Sequence, residues 1–384
     1  MSIATTDVRV LVMAGGTGGH VFPALAVAHC LRKQGARVQW LGALGGMESS
    51  LVPQHGFDFH GIAISGLRGN GALGWLCAPW RVFRATCAAH SVLRKMRANV
   101  VLGMGGFASG PGGLATWLLR RPLVIHEQNA IAGLTNRILA RFADRILEAF
   151  PASFSEKIAA RHTGNPVRES IAAVPAPALR FAARKEQHLK THGSSHSNAD
   201  GPRGGQSLHL LVLGGSQGAQ VINEVVPSAL NLLGQRAKIR IRHQAGERHL
   251  QSTCRAYSEL GLAVQPVAFI EDMASNYAWA DLVLCRAGAM TIAELAAAGV
   301  ASILVPFPHA VDDHQSANAR YLSEVGAAVL VPQQQFAPAS LATMLEEFSQ
   351  ARVQLLAMAE AARSRAITDA CERVAQHCLE VARV

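Results

Sequence analysis

One pattern occurs twice in this chain: a short apolar strand, a glycine-rich turn and then an amphipathic helix. It is present in RVLVMAGGTGGHVFPALAVA, residues 9–28, and again in SLHLLVLGGSQGAQVINEVVPSAL, residues 207–230. Apolar runs and helical patterns keep alternating after each turn, which is typical of a parallel sheet covered by helices on both faces. The sequence therefore predicts an α/β protein with two Rossmann-like domains in tandem.

The predicted strands follow from the short apolar runs. In the first half they are Val8–Met13, Val38–Leu41, Val100–Leu102, Leu123–His126 and Arg145–Leu147. In the second half, after the strand that opens it, they are Ile239–Arg242, Ala263–Pro266, Leu282–Cys285, Ser302–Val305 and Ala327–Leu330. We predict domains over 1–166 and 167–350, and C-terminal helices over 351–384 that pack across both.

A polar stretch, Lys185–Gln206, interrupts the second domain and is predicted to be a surface insertion or mobile loop. It holds three histidines spaced by four residues, which could ligate a metal if they lay on a helix. The run Gly193-Ser194-Ser195 opposes a helix, so we expect a solvated loop instead. The seven cysteines are scattered without a C-x-x-C pair, which favours reduced thiols of a cytosolic protein.

The glycine-rich turns favour binding of anions. Such a turn lets backbone N–H groups approach a phosphate, with the positive end of the helix dipole behind them. The turn at Gly15–Gly19 lacks the third glycine of the dinucleotide fingerprint, and no acidic residue ends the second strand, so NAD and FAD are disfavoured. Two such turns favour a cleft for a nucleotide diphosphate and a second phosphorylated molecule, although either could be a structural tight turn.

The positive charge is confined to the first half of the chain. Residues 1–166 carry 17 Lys and Arg against 7 Asp and Glu, whereas the remainder carries 19 of each kind. A basic half attracts nucleic acid, an anionic membrane or a phosphorylated substrate. Trp and Leu lie among Arg over residues 71–97 and 116–121, a pattern that fits an interfacial membrane patch as well as a core helix with a solvated basic face. The charge asymmetry favours the membrane patch. The sequence has no run of about 18 apolar residues, so it predicts no membrane-spanning segment.

Polar residues follow several predicted strands at the sheet edge where α/β proteins bind ligands. The sequence HEQN, residues 126–129, ends one strand. Glu294 lies in the helix after another strand and could accept both hydroxyls of a ribose, but an ordinary helix glutamate fits the pattern as well. Gln315 and Asn318 could hydrogen-bond sugar hydroxyls.

Together these motifs resemble the MurG family, the UDP-N-acetylglucosamine transferases of bacterial peptidoglycan synthesis. The matching segments, in order along nearly the whole chain, are GGTGGHVFPALAVA, HEQNAIAGLTNR, TGNPVR, LGGSQGA, RAGAMTIAE and PFPHA with the following Q and NA. The resemblance implies the GT-B glycosyltransferase fold, with two Rossmann-like domains facing across a cleft. It also implies inverting transfer of N-acetylglucosamine from UDP to the 4-hydroxyl of undecaprenyl-diphospho-N-acetylmuramoyl-pentapeptide (lipid I), giving lipid II without a metal or other cofactor.

The resemblance assigns substrate-binding residues by motif. They are Thr17, Gly18, Gly19, Asn129, Arg168, Ser216, Ile270, Ala289, Met290, Thr291, Ile292, Ala293, Glu294 and Gln315. Glu294 would hold the ribose, Ile270 would meet the uracil through its backbone, and Arg168 would bind the phosphates with Ser216. The chain departs from the family at Phe107, where a tyrosine is usual.

Inverting transfer needs a base for the acceptor hydroxyl and stabilisation of the leaving UDP. We expect His20 to be the base, with Glu127 or His126 behind it; binding of the lipid diphosphate by His20 is the open alternative. A UDP-sugar 2-epimerase and a catalytically idle membrane scaffold are the competing functions. The basic, Trp-rich face disfavours the epimerase, and binding of UDP would exclude the scaffold.

The expected partners are UDP-N-acetylglucosamine, lipid I, the anionic surface of the membrane, and other proteins of wall synthesis and division. No nucleic acid is expected. The resemblance implies a peripheral protein on the cytoplasmic face of the bacterial inner membrane.

Overall fold

The computed structural model describes residues 8–64, 78–192, 206–215, 219–308 and 310–382. These residues form two compact units, the first from 8–168 together with 367–382 and the second from 169–366. The change of unit therefore lies two residues beyond the end of the predicted first domain. The predicted terminal segment 351–384 is divided, with one helix in the second unit and the last helix in the first.

The first unit contains a seven-stranded parallel sheet in the order β3-β2-β1-β4-β5-β6-β7. Its strands are β1 Arg9–Met13, β2 Arg37–Ala43, β3 Asp58–Ile62, β4 Val100–Gly103, β5 Leu123–Glu127, β6 Arg145–Glu148 and β7 Arg161–His162. Its helices are α1 Gly18–Lys33, α2 Glu48–Gln54, α3 Ala78–Met96, α4 Ser109–Leu118, α5 Leu134–Leu139 and, at the end of the described chain, α15 Ala370–Val381. The edge strands β3 and β7 were not predicted, because one is half polar and the other has two residues.

The central strand β1 is buried on both faces, as its unbroken apolar sequence predicts for a parallel sheet. Val10 and Val12 pack on one face among residues of α1 and of the terminal helix α15. Leu11 and Met13 pack on the other face among residues of α3 and α4. The last helix of the chain therefore completes the core of the first unit.

The second unit contains a five-stranded parallel sheet in the order β12-β11-β10-β8-β9. Its strands are β8 Leu208–Leu213, β9 Ile239–Gln244, β10 Leu282–Cys285, β11 Ala301–Leu304 and β12 Ala328–Leu330. Its helices are α6 Glu169–Ala172, α7 Pro177–His192, α8 Gln220–Leu233, α9 Leu250–Glu259, α10 Met273–Trp279, α11 Ala289–Ala298, α12 His314–Ser323, α13 Pro338–Gln350 and α14 Arg352–Ser364. The prediction of two parallel-sheet domains is confirmed.

Two local predictions in this unit are wrong. Ala263–Pro266 is not a strand; only an isolated parallel bridge joins Val267 to Gln244, because Pro266 has no N–H to donate to a ladder. The segment predicted as a loop from Lys185 begins as helix, since α7 continues to His192 through Lys, Glu, Gln and Leu residues that favour helix. The remainder of that segment, from Gly193 to residue 205, lies outside the described residues.

Each sheet reverses its strand order beside its first strand, between β1 and β4 in one unit and between β8 and β10 in the other. In open α/β sheets, ligands bind outside the carboxyl ends of the strands at such a switch point. The turns after β1 and β4 hold Gly15–Gly19 and Gly105–Phe107, and the turn after β10 holds Arg286–Gly288. The predicted binding motifs thus follow the strands that flank the two switch points.

Candidate active site

A buried carboxylate lies beneath the first glycine-rich turn. Glu48, fully buried at the start of α2, accepts hydrogen bonds from the Gly16 N–H at 3.1 Å and from the Ala43 N–H at 3.0 Å. A Cβ at Gly15 would lie 2.1 Å from its Oε1, so only glycine fits there. The turn is therefore shaped by Glu48, and Gly16 already donates to an anion of the protein itself. The start of α1, in contrast, is exposed at Thr17 and Gly19.

The second glycine-rich turn packs directly on the first. A Cβ at Gly106 would lie 2.2 Å from the Gly15 carbonyl oxygen, and one at Gly105 would lie 2.7 Å from Nδ1 of His20. Both residues have positive φ angles, +86° and +92°, which favour glycine. The two turns can approach each other, and the His20 ring can lie against backbone, only because these side chains are absent.

His20 is half-buried in the first turn of α1 and contacts the end of β5. Its Nδ1 lies 3.0 Å from Oε1 of Gln128. The Gln128 Nε2 lies 3.2 Å from Nδ1 of His126, whose Nε2 lies 2.9 Å from the carbonyl oxygen of Gly164. Burial lowers the pKa of His126 to about 4, so this ring is neutral at pH 7. The structure thus places Gln128 against His20, with His126 behind it.

Glu127 does not contact His20, which corrects the prediction that it stands behind the base. The buried carboxylate accepts from Asn129 N at 3.0 Å and Asn129 Nδ2 at 3.2 Å through one oxygen. Its other oxygen accepts from Gly133 N at 3.0 Å and Asn136 Nδ2 at 2.8 Å. Strand alternation turns Glu127 away from Gln128 and into the following loop, where it holds the backbone.

The other predicted residues of the first unit lie at the same edge or at the end of the unit. Thr17 is exposed at the N-cap of α1, and its carbonyl accepts the N–H groups of His20 and Val21. Gly18 and Gly19 form the first turn of that helix. Asn129 follows β5 and is oriented by Glu127, whereas Arg168 is half-buried at the last residue of the unit's first segment.

In the second unit, the predicted donor residues 289–294 form the first turns of α11, and Gly288 is its N-cap. The N–H groups at a helix start and the helix dipole favour an anion there. The carboxylate of Glu294 is half-buried and accepts a hydrogen bond from the Tyr277 hydroxyl at 3.0 Å. Tyr277 is fully buried, so it fixes one oxygen of Glu294 from inside the unit. This carboxylate is oriented by the core, unlike a glutamate on a free helix surface.

Three further predicted contacts have mixed outcomes. The Ile270 N–H donates to Gln244 Oε1 at 3.0 Å. A backbone contact of Ile270 with a nucleobase would therefore use its carbonyl oxygen. Gln315 begins α12, and its Oε1 accepts from the Phe307 N–H at 2.9 Å. Asn318 is fully buried and donates to the Ala287 carbonyl, which corrects the suggestion that it binds a sugar hydroxyl. Ser216 lies outside the described residues.

An exposed apolar surface covers part of the first unit. Helix α3 buries small residues, among them Ala85 and Ala89, and exposes Trp80 and Phe83, whose rings stack 5.6 Å apart. Trp117 is 49% exposed at the end of α4. Between these helices lies an open groove of about 800 Å³ lined mainly by apolar side chains. Helix α3 therefore packs on the sheet through one face and presents its aromatic rings on the other. No described helix is long and apolar enough to cross a membrane.

Three residues that shape the site had no individual role in the prediction. Gln128 was part of the HEQN motif, and its position directly after β5 was the available signal. Glu48 is one of only 7 acidic residues in the basic first half, and that scarcity was the only sign that it matters. Tyr277 had no signal, because its contact with Glu294 joins positions 17 residues apart through the fold.

Two domain families match the chain in order. The glycosyltransferase family 28 N-terminal domain matches residues 10–148, and the glycosyltransferase family 28 C-terminal domain matches residues 209–374. The first match spans β1 to β6 with His20 and the HEQN motif. The second spans β8 to α15, with Ile270, Glu294 and Gln315.

Full-length relatives carry one name. A protein of Dechloromonas aromatica is 52% identical over 374 residues, 97% of this chain and 99% of the relative. A protein of Marinobacter nauticus is 50% identical over 374 residues, 97% of this chain and 98% of the relative. Both are named UDP-N-acetylglucosamine--N-acetylmuramyl-(pentapeptide) pyrophosphoryl-undecaprenol N-acetylglucosamine transferase. The crystal structure of Acinetobacter baumannii MurG is 37% identical, covers 97% of this chain and 99% of its own, and has a TM-score of 0.79.

Proposed function

Because this chain belongs to the MurG family of glycosyltransferases, we infer that it transfers N-acetylglucosamine from UDP-N-acetylglucosamine to undecaprenyl-diphospho-N-acetylmuramoyl-pentapeptide. The product is lipid II, a precursor of peptidoglycan. Both sheets, with their switch points, belong to the GT-B fold of such enzymes. The roles of individual residues in this reaction are our proposal.

We propose that His20 takes the proton from the 4-hydroxyl of the acceptor substrate. As the acceptor's 4-hydroxyl oxygen bonds to the anomeric carbon, its proton passes to the imidazole and the bond from that carbon to the UDP oxygen breaks. Attack from the face opposite UDP inverts the anomeric centre. The observation that carries this role is the half-buried position of His20 at the switch point, with one ring nitrogen held by Gln128.

The second unit supplies the donor site in this proposal. The start of α11 binds the diphosphate of UDP and stabilises the charge that develops on it. Glu294, oriented by Tyr277, accepts the ribose hydroxyls. Gln315 contacts the transferred sugar, and the backbone of Ile270 contacts the uracil.

The test of the base role measures transfer of labelled N-acetylglucosamine to a soluble lipid I analogue. His20→Ala is expected to lower kcat about 10²- to 10⁴-fold with unchanged UDP affinity by isothermal titration, because a general base contributes a factor of that size. His29→Ala is the control, since His29 lies on the same helix but pairs with His55. Unchanged kcat in His20→Ala contradicts the base role, and a rise confined to the acceptor KM assigns His20 to the lipid diphosphate instead.

We also propose that the first unit lies on an anionic membrane, which places the protein on the cytoplasmic face of the inner membrane, near other proteins of wall synthesis and division. Trp80 and Phe83 supply an apolar anchor. Arg81 and Arg84 are exposed on the same helix, and each basic residue near such a surface contributes about 1 kcal/mol.

Sedimentation with vesicles tests the membrane proposal. Binding to vesicles that contain phosphatidylglycerol is expected to fall in the double variant Trp80→Ser, Phe83→Ser. Leu232→Ser, which removes an exposed leucine from the second unit, is expected to bind as wild type. Equal binding of both variants, or binding that does not require anionic lipid, contradicts the proposal.

A further inference from the structure

The hydrogen-bond chain from Gly164 to His20 has a direction that its chemistry dictates. A backbone carbonyl can only accept, so the His126 Nε2 that lies 2.9 Å from the Gly164 oxygen must carry a proton. His126 is neutral, because burial lowers its pKa to about 4. Its Nδ1 is therefore unprotonated and accepts a hydrogen bond.

This state of His126 fixes the orientation of the Gln128 amide. The amide nitrogen must face the unprotonated Nδ1 of His126, 3.2 Å away. The same nitrogen lies 3.3 Å from the backbone carbonyl oxygen of His126, which is a second group that can only accept. A flipped amide would place two acceptors against each other at both contacts. The Gln128 oxygen is thus directed to His20 by two independent partners.

We propose that Gln128 is a positioning residue that keeps the proton of neutral His20 on Nδ1 and leaves the lone pair on Nε2. Its Oε1, 3.0 Å from His20 Nδ1, can accept a hydrogen bond but cannot donate one. Neutral imidazole carries one proton, so Nε2 is the nitrogen that takes the acceptor's proton. The inference rests on the proposed base role of His20 and adds to it which nitrogen reacts and what holds the ring in that form.

Gly105 supports the same arrangement from the other side of the ring. A Cβ there would lie 2.7 Å from Nδ1 and 2.8 Å from Cε1 of His20, so the ring rests on the backbone of this turn. Contact with Gly105 on one side and Gln128 on the Nδ1 edge restricts rotation of the ring. This arrangement differs from an imidazole held by a carboxylate, because the group that faces Nδ1 is an uncharged amide oxygen.

Nuclear magnetic resonance of the full-length protein with ¹⁵N-labelled histidine tests the proposal directly. Long-range ¹H–¹⁵N correlations distinguish a protonated from an unprotonated ring nitrogen, and His20→Gln assigns the His20 signals by their loss. The expected result at pH 8 is a protonated Nδ1 and an unprotonated Nε2. A proton on Nε2 in the wild type overturns the inference, whatever the transfer assay reports.

Two Gln128 variants separate the acceptor role from packing. Gln128→Met removes the oxygen that faces His20, so the tautomer of His20 with its proton on Nε2 should become populated. The expected kcat is lowered about 10²-fold, with an unchanged KM for UDP-N-acetylglucosamine. Gln128→Glu keeps an oxygen towards Nδ1 of His20 and should therefore keep the wild-type tautomer and lose less kcat than Gln128→Met. Its second oxygen places an acceptor against Nδ1 and the carbonyl of His126, so this variant should lose stability. Loss of kcat in Gln128→Met without a change in tautomer overturns the inference. Wild-type kcat in His20→Ala refutes the base role instead, and the tautomer measurement still decides the state of the ring.

Discussion

The sharpest test of the structure concerns Glu127, which the sequence offered, with His126 as the alternative, as the residue behind His20, and whose carboxylate the structure directs into the loop after β5. Replacement by Gln keeps the size of the side chain and exchanges one oxygen for an amide nitrogen. Whichever oxygen is replaced, two of the four donors, from Asn129 on one side or from Gly133 and Asn136 on the other, then face a second donor. A role in holding the loop predicts lost stability, whereas a role in chemistry predicts lost turnover alone.

The size of the stability loss follows from the hydrogen bonds. A hydrogen bond to a charged group contributes about 1.5–3 kcal/mol. Asn136 is buried and Gly133 is exposed, so the bond to Asn136 should contribute about 2 kcal/mol and the bond to Gly133 about 1 kcal/mol. Loss of both lowers the free energy of unfolding of the first unit by about 3 kcal/mol. In a unit of this size, that corresponds to a fall in Tm of about 6–12 °C.

Thermal unfolding and the transfer assay together decide the outcome for Glu127→Gln. The control is Glu156→Gln, which changes an exposed glutamate of the same unit and should unfold with the wild type. At a temperature where both variants are folded, kcat of Glu127→Gln should stay within about a factor of ten of wild type, since His20 keeps its contact with Gln128. A variant with the wild-type Tm and a lost kcat would refute the structural assignment.

Three further outcomes follow from the described contacts. Tyr277→Phe removes the hydroxyl that orients Glu294, and is expected to weaken UDP binding about 3- to 10-fold by isothermal titration, the equivalent of one hydrogen bond; an unchanged Kd would separate Glu294 from the ribose. Gly105→Ala should lower kcat because its Cβ displaces the His20 ring. The control is Gly45→Ala, which has a similar positive φ and open space around it and should lower stability only. Equal kcat in the two variants would contradict the ring contact. The free energy of unfolding should fall between pH 6.5 and pH 4, because burial lowers the pKa values of His126 and His243 to about 4 and the unfolded chain binds their protons first. Urea unfolding should give a free energy about 2 kcal/mol lower at pH 5 than at pH 7.5 for each histidine. His126→Phe should lose its share of that difference.

The architecture could be predicted because its signals are local. The strand β1 is mostly apolar and is followed at once by glycines and a helix. About twenty consecutive residues therefore suffice to predict the strand and its place in a parallel sheet. The same holds for β8 and β10. The prediction failed at Ala263–Pro266, because this apolar run ends in a proline, and at Lys185–His192, because these mostly polar residues form a helix.

The site was predicted only to the level of motifs, because its contacts join residues that are distant in sequence. His20 and Gln128 are separated by 108 positions and meet because β1 and β5 lie near each other in the same sheet. Glu127 and Gln128 are adjacent in sequence, yet strand alternation directs one into a loop and the other towards His20. The sequence therefore identified the HEQN motif but did not show which of its members contacts His20.

The terminal helix α15 has a consequence for how the protein is made. Val374, Ala375 and Cys378 belong to the same buried cluster as Val10 and Val12, so the first unit lacks part of its core until these residues are available. The segment 169–366, by contrast, forms a whole unit from one continuous stretch. During synthesis the later-encoded unit can thus finish folding first, while the amino-terminal sheet waits for the last helix to leave the ribosome. A stop codon ahead of residue 370 would leave one face of the amino-terminal sheet partly uncovered, although every residue named for the candidate site, the last of them Gln315, had already been made.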